Sequence, residues 1–126
     1  MPSELKFATV PVTEKLETVR TWMTEKKARD IVVLDLTQNN TFTEGILVAT
    51  ATSIRHAQGL ADYILQESKA LRFEFLRMEG YQTGQWILLD MNDLVVSIFQ
   101  EDTRELYRLE ELWKSAPVLY DSRKTS

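Results

Sequence analysis

The sequence predicts an α/β fold in which helices pack on a mixed β-sheet of about five strands. The first observation is the order of the predicted elements, which runs helix, two strands, helix, three strands, helix. The second is that several strand candidates are almost continuously apolar, which is typical of strands covered on both faces. The third is size, because 126 residues with 44% hydrophobic content suffice for one globular domain.

The first half of the chain predicts one helix and two strands. Thr13 is the expected N-cap of a helix over residues 13–28, where apolar residues recur at helical spacing. The β-branched run at 31–36 predicts a buried strand, and residues 45–51 predict a second. The polar sequence QNNT lies between these runs and predicts a turn.

The second half predicts a helix, three strands and a final helix. Residues 52–71 have an apolar helical face, and either Thr52 or Ser53 caps the start. The sequence RFEFLRMEG alternates, so it predicts a strand with one wetter face that ends at Gly80. WILLD and LVVSIF predict strands in the centre of the sheet, and EDTRELYRLEELW predicts a helix.

Composition divides this single globular domain into three parts. Residues 1–29 predict an amphipathic helical segment, residues 30–117 the α/β body, and the polar residues 118–126 a flexible tail. The N-terminus has no apolar stretch of the signal-peptide type, and no run is long enough to span a membrane. The absence of cysteine suits a reducing compartment. We therefore expect a cytoplasmic protein without membrane contact.

The charge of the chain argues against binding to nucleic acid. The formal net charge is −4, whereas a nucleic-acid backbone is bound by a lysine and arginine footprint. We therefore expect no direct nucleic-acid recognition. An acidic surface suits contact with a basic protein.

Asp90 and Asp93 raise the question of a paired-carboxylate active site. They flank the sequence D-M-N-D between two apolar runs, which has the length and the residue types of a β-turn. Metal binding or acid–base catalysis needs further carboxylates or a histidine at the same point. The chain has no Asp-x-Asp, Asp-x-Glu or Gly-Ser sequence. We predict structural turn roles for both aspartates, and neither a metal nor a cofactor.

Ser53, His56 and Asp62 do not predict a catalytic triad. Ser53 lies at a helix start, where its hydroxyl caps backbone amides, and no G-x-S-x-G sequence surrounds it. Asp62 lies six residues beyond His56, the only histidine, and faces away from Ser53. We therefore predict no catalytic residue in this segment.

The aromatic residues of the second half predict a contact surface instead. On a helical projection of the last helix, Tyr107 falls about a quarter-turn outside the apolar face, so we expect it to be half-exposed. Trp86 begins its strand directly after a polar loop, so we expect part of its ring to be exposed to solvent. The last helix carries an acidic excess, and tyrosine and tryptophan often dominate interfaces. The apolar face of that helix is predicted to contain Leu106, Leu109, Leu112 and Trp113.

These residues occur in an ordered set of motifs that resembles a known family. The sequences DIVVLDL, TSIRHAQGLAD, RMEGYQTGQWILLDMNDLVVSIF and RELYRLEELWKSAP follow one another between residues 30 and 117. The most specific part is EG-x4-WILLD-xxD-LVV followed by R-x-L-Y-x-L-E-x-L-W. About two-thirds of the chain resembles the ribosomal silencing factor family, also called Iojap-like proteins. The Iojap-like part is residues 30–117.

The resemblance implies a translational repressor rather than an enzyme. Family members bind a basic protein of the large ribosomal subunit, the one numbered fourteen, and sterically block joining of the small subunit. The family fold resembles nucleotidyltransferases without their catalytic residues, and members are often homodimers.

By motif position, Trp86 and Tyr107 correspond to the partner-binding residues of the family. Nearby acids are expected to support that contact, whereas Glu79, Gly80 and Arg104 match the motif without an assigned role. The supporting acidic residues are Glu101, Asp102, Glu105 and Glu111.

The chain departs from the family pattern at three positions. Ser97 stands where the family commonly has a histidine. Glu44 replaces an aspartate, and Gly45 replaces a bulky residue.

Two alternatives stay open at this point. A nucleotide-using transferase could employ unusual carboxylates, namely Asp35, Asp90 and Asp93. The chain could also be a homodimeric adapter for another partner.

Overall fold

The computed structural model describes residues 7–38 and 43–124. It contains one mixed sheet with helices packed on it, so the predicted fold class is confirmed, with six strands rather than about five. Residues 1–6, most of the QNNT turn and the last two residues of the predicted tail lie outside the described part. The elements are α1 (Val12–Glu25), β1 (Arg29–Asp35), β2 (Gly45–Thr50), α2 (Ile54–Ala70), β3 (Arg77–Glu79), β4 (Trp86–Asp90), β5 (Leu94–Phe99), α3 (Glu101–Tyr107), α4 (Leu109–Leu112), β6 (Val118–Asp121) and a short 3-10 helix (Ser122–Lys124).

The sheet has the strand order β3-β4-β5-β2-β1-β6, with β5 and β2 at its centre. These two strands run parallel and pair residue by residue, whereas every other neighbouring pair is antiparallel. All residues of β2 and β5 are buried. Their burial on both faces explains why GILVAT and LVVSIF are apolar without alternation.

The two faces of the sheet are covered unequally. The helices α1 and α2 pack on the first face and form the larger hydrophobic cluster, which includes Ile87 and Leu89 of β4. Neighbouring residues of a strand point to opposite faces, so Trp86 points to the second face. There the smaller cluster is flanked by the partly buried side chains of Trp86, Leu109 and Trp113. The second face therefore leaves aromatic surface at its margin.

The two long helices begin in different ways. The expected N-cap of α1 at Thr13 is wrong, because the helix begins one residue earlier, after Pro11, and has no side-chain cap. The fixed φ of proline favours a helix start, and the Pro11 carbonyl accepts the amides of Glu14 and Lys15. In α2 the hydroxyl of Ser53 accepts the backbone N–H of His56 at 2.9 Å, as predicted for that cap.

The third strand is shorter than the alternation predicts. Arg72 adopts a left-handed backbone conformation with φ of 60° after α2. Phe73 then turns inward against Trp22, with ring centroids 5.9 Å apart. Strand pairing begins only where the Leu76 amide donates to the Asp90 carbonyl. Packing of Phe73 thus takes the first residues of this segment out of the sheet.

The flexible tail predicted for residues 118–126 is wrong over residues 118–124. Residues Val118–Asp121 form β6, which pairs antiparallel with the otherwise open edge of β1. The Ser122 hydroxyl then accepts the Ile31 amide at 2.8 Å. The Arg123 guanidinium binds the Asp121 carboxylate with an Nε–Oδ1 distance of 2.9 Å. An unpaired strand edge offers backbone hydrogen bonds, and these residues use them.

The single final helix of the prediction is broken into α3 and α4. Arg108 adopts a left-handed conformation with φ of 48° and ends the first helix. The predicted apolar face is wrong at two of its four residues, because Leu106 is 76% exposed and Leu112 is 71% exposed. The two segments turn Arg104, Leu109 and Trp113 toward the sheet instead. A helical projection of one continuous helix does not apply across this break.

A buried guanidinium holds the broken helix against the sheet. Arg104 is only 8% exposed. Its Nη1 donates to the Asp30 carbonyl at 2.6 Å and to the Thr50 hydroxyl at 2.8 Å. Its Nη2 donates to the Glu110 carboxylate at 2.7 Å. We call these contacts the Arg104 clasp; they connect α3, α4, β1 and β2.

The Glu110 carboxylate has a pKa that reflects this contact. Burial alone raises the pKa of Glu110, but the hydrogen bond and charge of Arg104 and the charge of Arg123 outweigh burial and hold it below its ordinary value. A carboxyl group whose pKa is lowered by folding stabilises the fold above its ordinary pKa. That stabilisation is lost as the pH falls through the lowered value.

A tight loop joins β3 to β4 and requires glycine. Gly80 and Gly84 both have positive φ, at 81° and 68°. The Gly84 amide donates to the Gly80 carbonyl at 3.0 Å. A Cβ atom on Gly80 would collide with the backbone carbonyl of Trp86. The EG element of the sequence motif therefore fixes the approach of the chain to Trp86.

We expect Glu110→Gln to lower the free energy of unfolding by about 1–3 kcal/mol at neutral pH, because a charged bond to a buried guanidinium is lost. The difference from wild type should shrink as the pH falls below the ordinary value of 4.5. Denaturant unfolding at several pH values measures it. Glu111→Gln is the matched control, since Glu111 is exposed and forms no ion pair in the described chain. A difference that is independent of pH would contradict the assignment.

We expect Gly80→Ala to destabilise the fold by about 2 kcal/mol or more, since the left-handed conformation costs alanine about 1–2 kcal/mol and the collision adds to it. Thermal unfolding measures the effect. Gly59→Ala is the control, because a Cβ atom there meets no other atom within 4 Å. In the interior of α2 this change should stabilise by about 0.5–1 kcal/mol. Equal melting temperatures for the two variants would refute the role of Gly80.

Candidate functional site

Trp86 and Tyr107 lie side by side at the margin of the second sheet face. Their ring centroids are 5.1 Å apart with an interplanar angle of 49°. The Trp86 ring also packs against Phe99 at a centroid distance of 4.8 Å. Its Nε1–H donates to the Ser97 hydroxyl at 3.2 Å. The two residues, which we call the aromatic pair, thus form one surface from β4 and α3.

The aromatic pair combines a fixed base with an exposed face. Trp86 is half-buried, and its ring is held by Phe99 and Ser97. Tyr107 is the last residue of α3 and is 57% exposed. Large aromatic side chains with restricted motion bury much area on contact at a low entropic cost. This arrangement suits a protein contact.

The helices α3 and α4 carry four exposed carboxylates. None of the four forms an ion pair with any described residue. Three of the four line a cleft of about 390 Å³ beside the Arg104 clasp, together with Asp30 and Arg108. We call these four residues the acidic rim: Glu101, Asp102, Glu105 and Glu111.

The aspartates of the D-M-N-D sequence have different partners: that of Asp90 lies within the turn, and that of Asp93 lies on α1. Asp90 Oδ1 accepts the Asn92 amide at 2.9 Å, which is a turn contact, and Asn92 has φ of 75°. Asp93 Oδ2 lies 2.9 Å from Nζ of Lys15, a buried lysine on α1. This contact ties α1 to the β4–β5 turn.

Asp35, the third carboxylate of the transferase alternative, is also engaged locally. Its Oδ1 accepts the hydroxyl of Thr37 at 2.7 Å and the amide of Thr37 at 2.9 Å. These two bonds lower the pKa of Asp35. Over the described ranges 7–38 and 43–124, no group of three or more histidine, aspartate or glutamate residues is placed to hold a metal ion.

Ser53, His56 and Asp62 do not form a relay. The His56 ring lies between two backbone groups: Nε2 is 2.8 Å from the Lys26 carbonyl, and Nδ1 is 2.9 Å from the Thr52 amide. A carbonyl only accepts and an amide only donates, so Nε2 carries the proton. Ser53 contacts the His56 backbone rather than the ring. Asp62 accepts the Tyr81 hydroxyl at 3.0 Å.

The three departures from the family pattern have structural counterparts. The buried Ser97 hydroxyl holds the Trp86 indole, as described above. A Cβ atom on Gly45 would lie 2.6 Å from a Leu16 methyl group, so glycine makes room for α1. Glu44 is exposed, and its amide donates to the Asp93 carbonyl at 3.0 Å.

Sequence reasoning missed the role of Arg104 and the exposure of two leucines. The Arg104 partners lie on β1, β2 and α4, and Glu110 is six residues away, a spacing that no continuous helix brings together. The sequence shows Arg104 only as a motif residue and as one of two arginines, with Arg108, in a segment rich in acids. It did not indicate burial.

No helix among residues 7–38 and 43–124 is long and apolar enough to cross a membrane.

Comparison with known proteins places these features in a family. The family described as ribosomal silencing factor during starvation, RsfS, matches residues 9–126. A ribosomal silencing factor RsfS of Haemophilus influenzae is 38% identical over 69% of this chain and 85% of its own length. A mouse protein named mitochondrial assembly of ribosomal large subunit protein 1 is 28% identical over 71% of this chain and 40% of its own.

A solved structure supports the same relationship at the level of the fold. The crystal structure of a Chromobacterium violaceum protein superposes with a TM-score of 0.80 at 27% sequence identity. The match covers 83% of this chain and 88% of that one. Because the family match extends over nearly the whole chain, this protein belongs to the ribosomal silencing factor family, RsfS.

Proposed function

We propose that this protein is a cytoplasmic translational repressor that binds the large ribosomal subunit and sterically blocks joining of the small subunit. The contact is made with a basic protein of the large subunit, the one numbered fourteen. On this proposal the chain acts by occupying a surface and needs neither a cofactor nor a catalytic residue. A homodimer, which the family resemblance implies, stays a prediction that sedimentation of the free protein tests.

The observation that carries the proposal is the aromatic pair, together with an acidic rim carried by the same short helices, α3 and α4. Trp86 and Tyr107 come from separate elements, yet their rings pack together and leave Tyr107 open to solvent. Aromatic residues dominate the binding energy of many protein interfaces. Carboxylates without internal partners attract a basic surface and speed the encounter.

Family membership supports the ribosomal partner. The chain belongs to the ribosomal silencing factors, and its mouse relative is named for assembly of the ribosomal large subunit. The net charge of −4 suits a basic ribosomal protein rather than exposed RNA. These points favour the large subunit, and the basic protein is the part of it that matches the acidic rim.

We expect Trp86→Ala and Tyr107→Ala each to weaken binding by about 2 kcal/mol or more, which is roughly 30-fold in affinity. Co-sedimentation with purified large subunits on a sucrose gradient measures the binding. Wild type should travel with the large subunit, whereas both variants should stay near the top. Binding by wild type should also weaken as the salt concentration rises, because opposite charges are screened.

Tyr63→Ala is the matched control for this experiment. Tyr63 is a partly buried tyrosine on α2, which packs on the opposite face of the sheet. Its variant should bind as wild type does, provided that circular dichroism shows all variants to be folded. Co-sedimentation of Tyr107→Ala and Trp86→Ala at wild-type levels would move the contact elsewhere. Wild type that stays at the top would remove the proposed partner.

A further inference from the structure

We propose that Leu106 and Leu112 extend the aromatic pair into one docking surface for a lysine- and arginine-rich protein surface with an apolar patch. The inference rests on the proposed function and adds the residues that shape its contact. Neither leucine was expected to be exposed, and neither has an assigned role. The proposal concerns the α3–α4 segment, residues 101–112.

The exposure of this segment is unusual within the described chain. The segment contains the three most exposed large hydrophobic side chains of the described chain, namely Leu106 at 76%, Leu112 at 71% and Tyr107 at 57%. Single exposed leucines are common on protein surfaces. Here all three fall within seven consecutive residues, and one of them, Tyr107, packs against the half-buried ring of Trp86. Such a concentration of apolar surface marks an interaction site.

The interruption of the helix at Arg108 creates this exposure. In a continuous helix, Leu106, Leu109 and Trp113 would share one face. The left-handed conformation of Arg108 instead directs Leu109 and Trp113 to the sheet and leaves Leu106 and Leu112 in solvent.

The Arg104 clasp maintains the break, because Glu110 reaches Arg104 only when the chain turns at Arg108. The fold therefore keeps two leucines exposed by means of a buried ionic contact.

The charge around the leucines identifies the occupant. Within residues 101–112, the four carboxylates of the acidic rim form no ion pair in the described chain, and the one exposed guanidinium of that segment is Arg108. A phosphate backbone would be repelled by this surface. A second copy docking through the same surface would bring the two acidic rims together at like charge. A basic protein surface with an apolar patch can pair its cations with the acidic rim and pack against the exposed leucines.

Leu106→Gln and Leu112→Gln test the proposal, with Leu71→Gln as the control. Leu71 is 46% exposed and follows α2, away from the docking surface. The readout is the dissociation constant for purified large subunits, with melting temperatures to verify folding. We expect each α3–α4 variant to bind about tenfold or more weakly than wild type, because an apolar contact is lost. Leu106→Met, which keeps apolar volume, should bind as wild type does.

The outcomes separate this inference from the proposed function. Wild-type affinity in both glutamine variants, with wild type itself bound, overturns the inference and leaves the proposed function standing. Wild type that fails to bind large subunits overturns both. Variants that bind normally but lose self-association would assign the leucines to a dimer contact and overturn the inference. Variants that instead lose binding to isolated ribosomal RNA would overturn it as well.

Discussion

The buried guanidinium of Arg104 is the contact on which the second face of the sheet depends. A buried charge without partners costs several kcal/mol, so its placement requires hydrogen bonds on all sides. Arginine supplies donors in a planar fork, and here they reach Asp30, Thr50 and Glu110. These bonds fix α3 on the sheet and α4 beside it. The position of Tyr107 against Trp86 follows from that arrangement.

Unequal covering of the two sheet faces leads from the fold to the candidate site. The long helices α1 and α2 cover the first face, and its apolar residues are buried there. Among the described residues, the second face is covered by short segments, and there Phe99 is fully buried whereas Trp86 is half-buried. Because these segments are short, they also leave Tyr107, Leu106 and Leu112 exposed to solvent. A surface that a monomer leaves apolar is available to a partner.

The parts of the fold that were predictable depend on local pattern. Strands β2, β4 and β5 follow from apolar runs, and the cap at Ser53 follows from hydroxyl chemistry next to a helical pattern. The unpredicted parts depend on tertiary contacts. The break at Arg108 needs Glu110 to meet Arg104, and β6 exists because β1 presents an open edge. No local periodicity reports either constraint. The partner-binding roles of Trp86 and Tyr107 stay predictions that rest on family resemblance.

The most direct test of the central claim is a light-scattering measurement of subunit joining. Purified large subunits are incubated with wild type or with Tyr107→Ala, and small subunits are then added. We expect wild type to lower the fraction of joined subunits in proportion to its occupancy, and Tyr107→Ala to leave joining near the untreated level. Undiminished joining on large subunits saturated with wild type would contradict steric silencing through this surface.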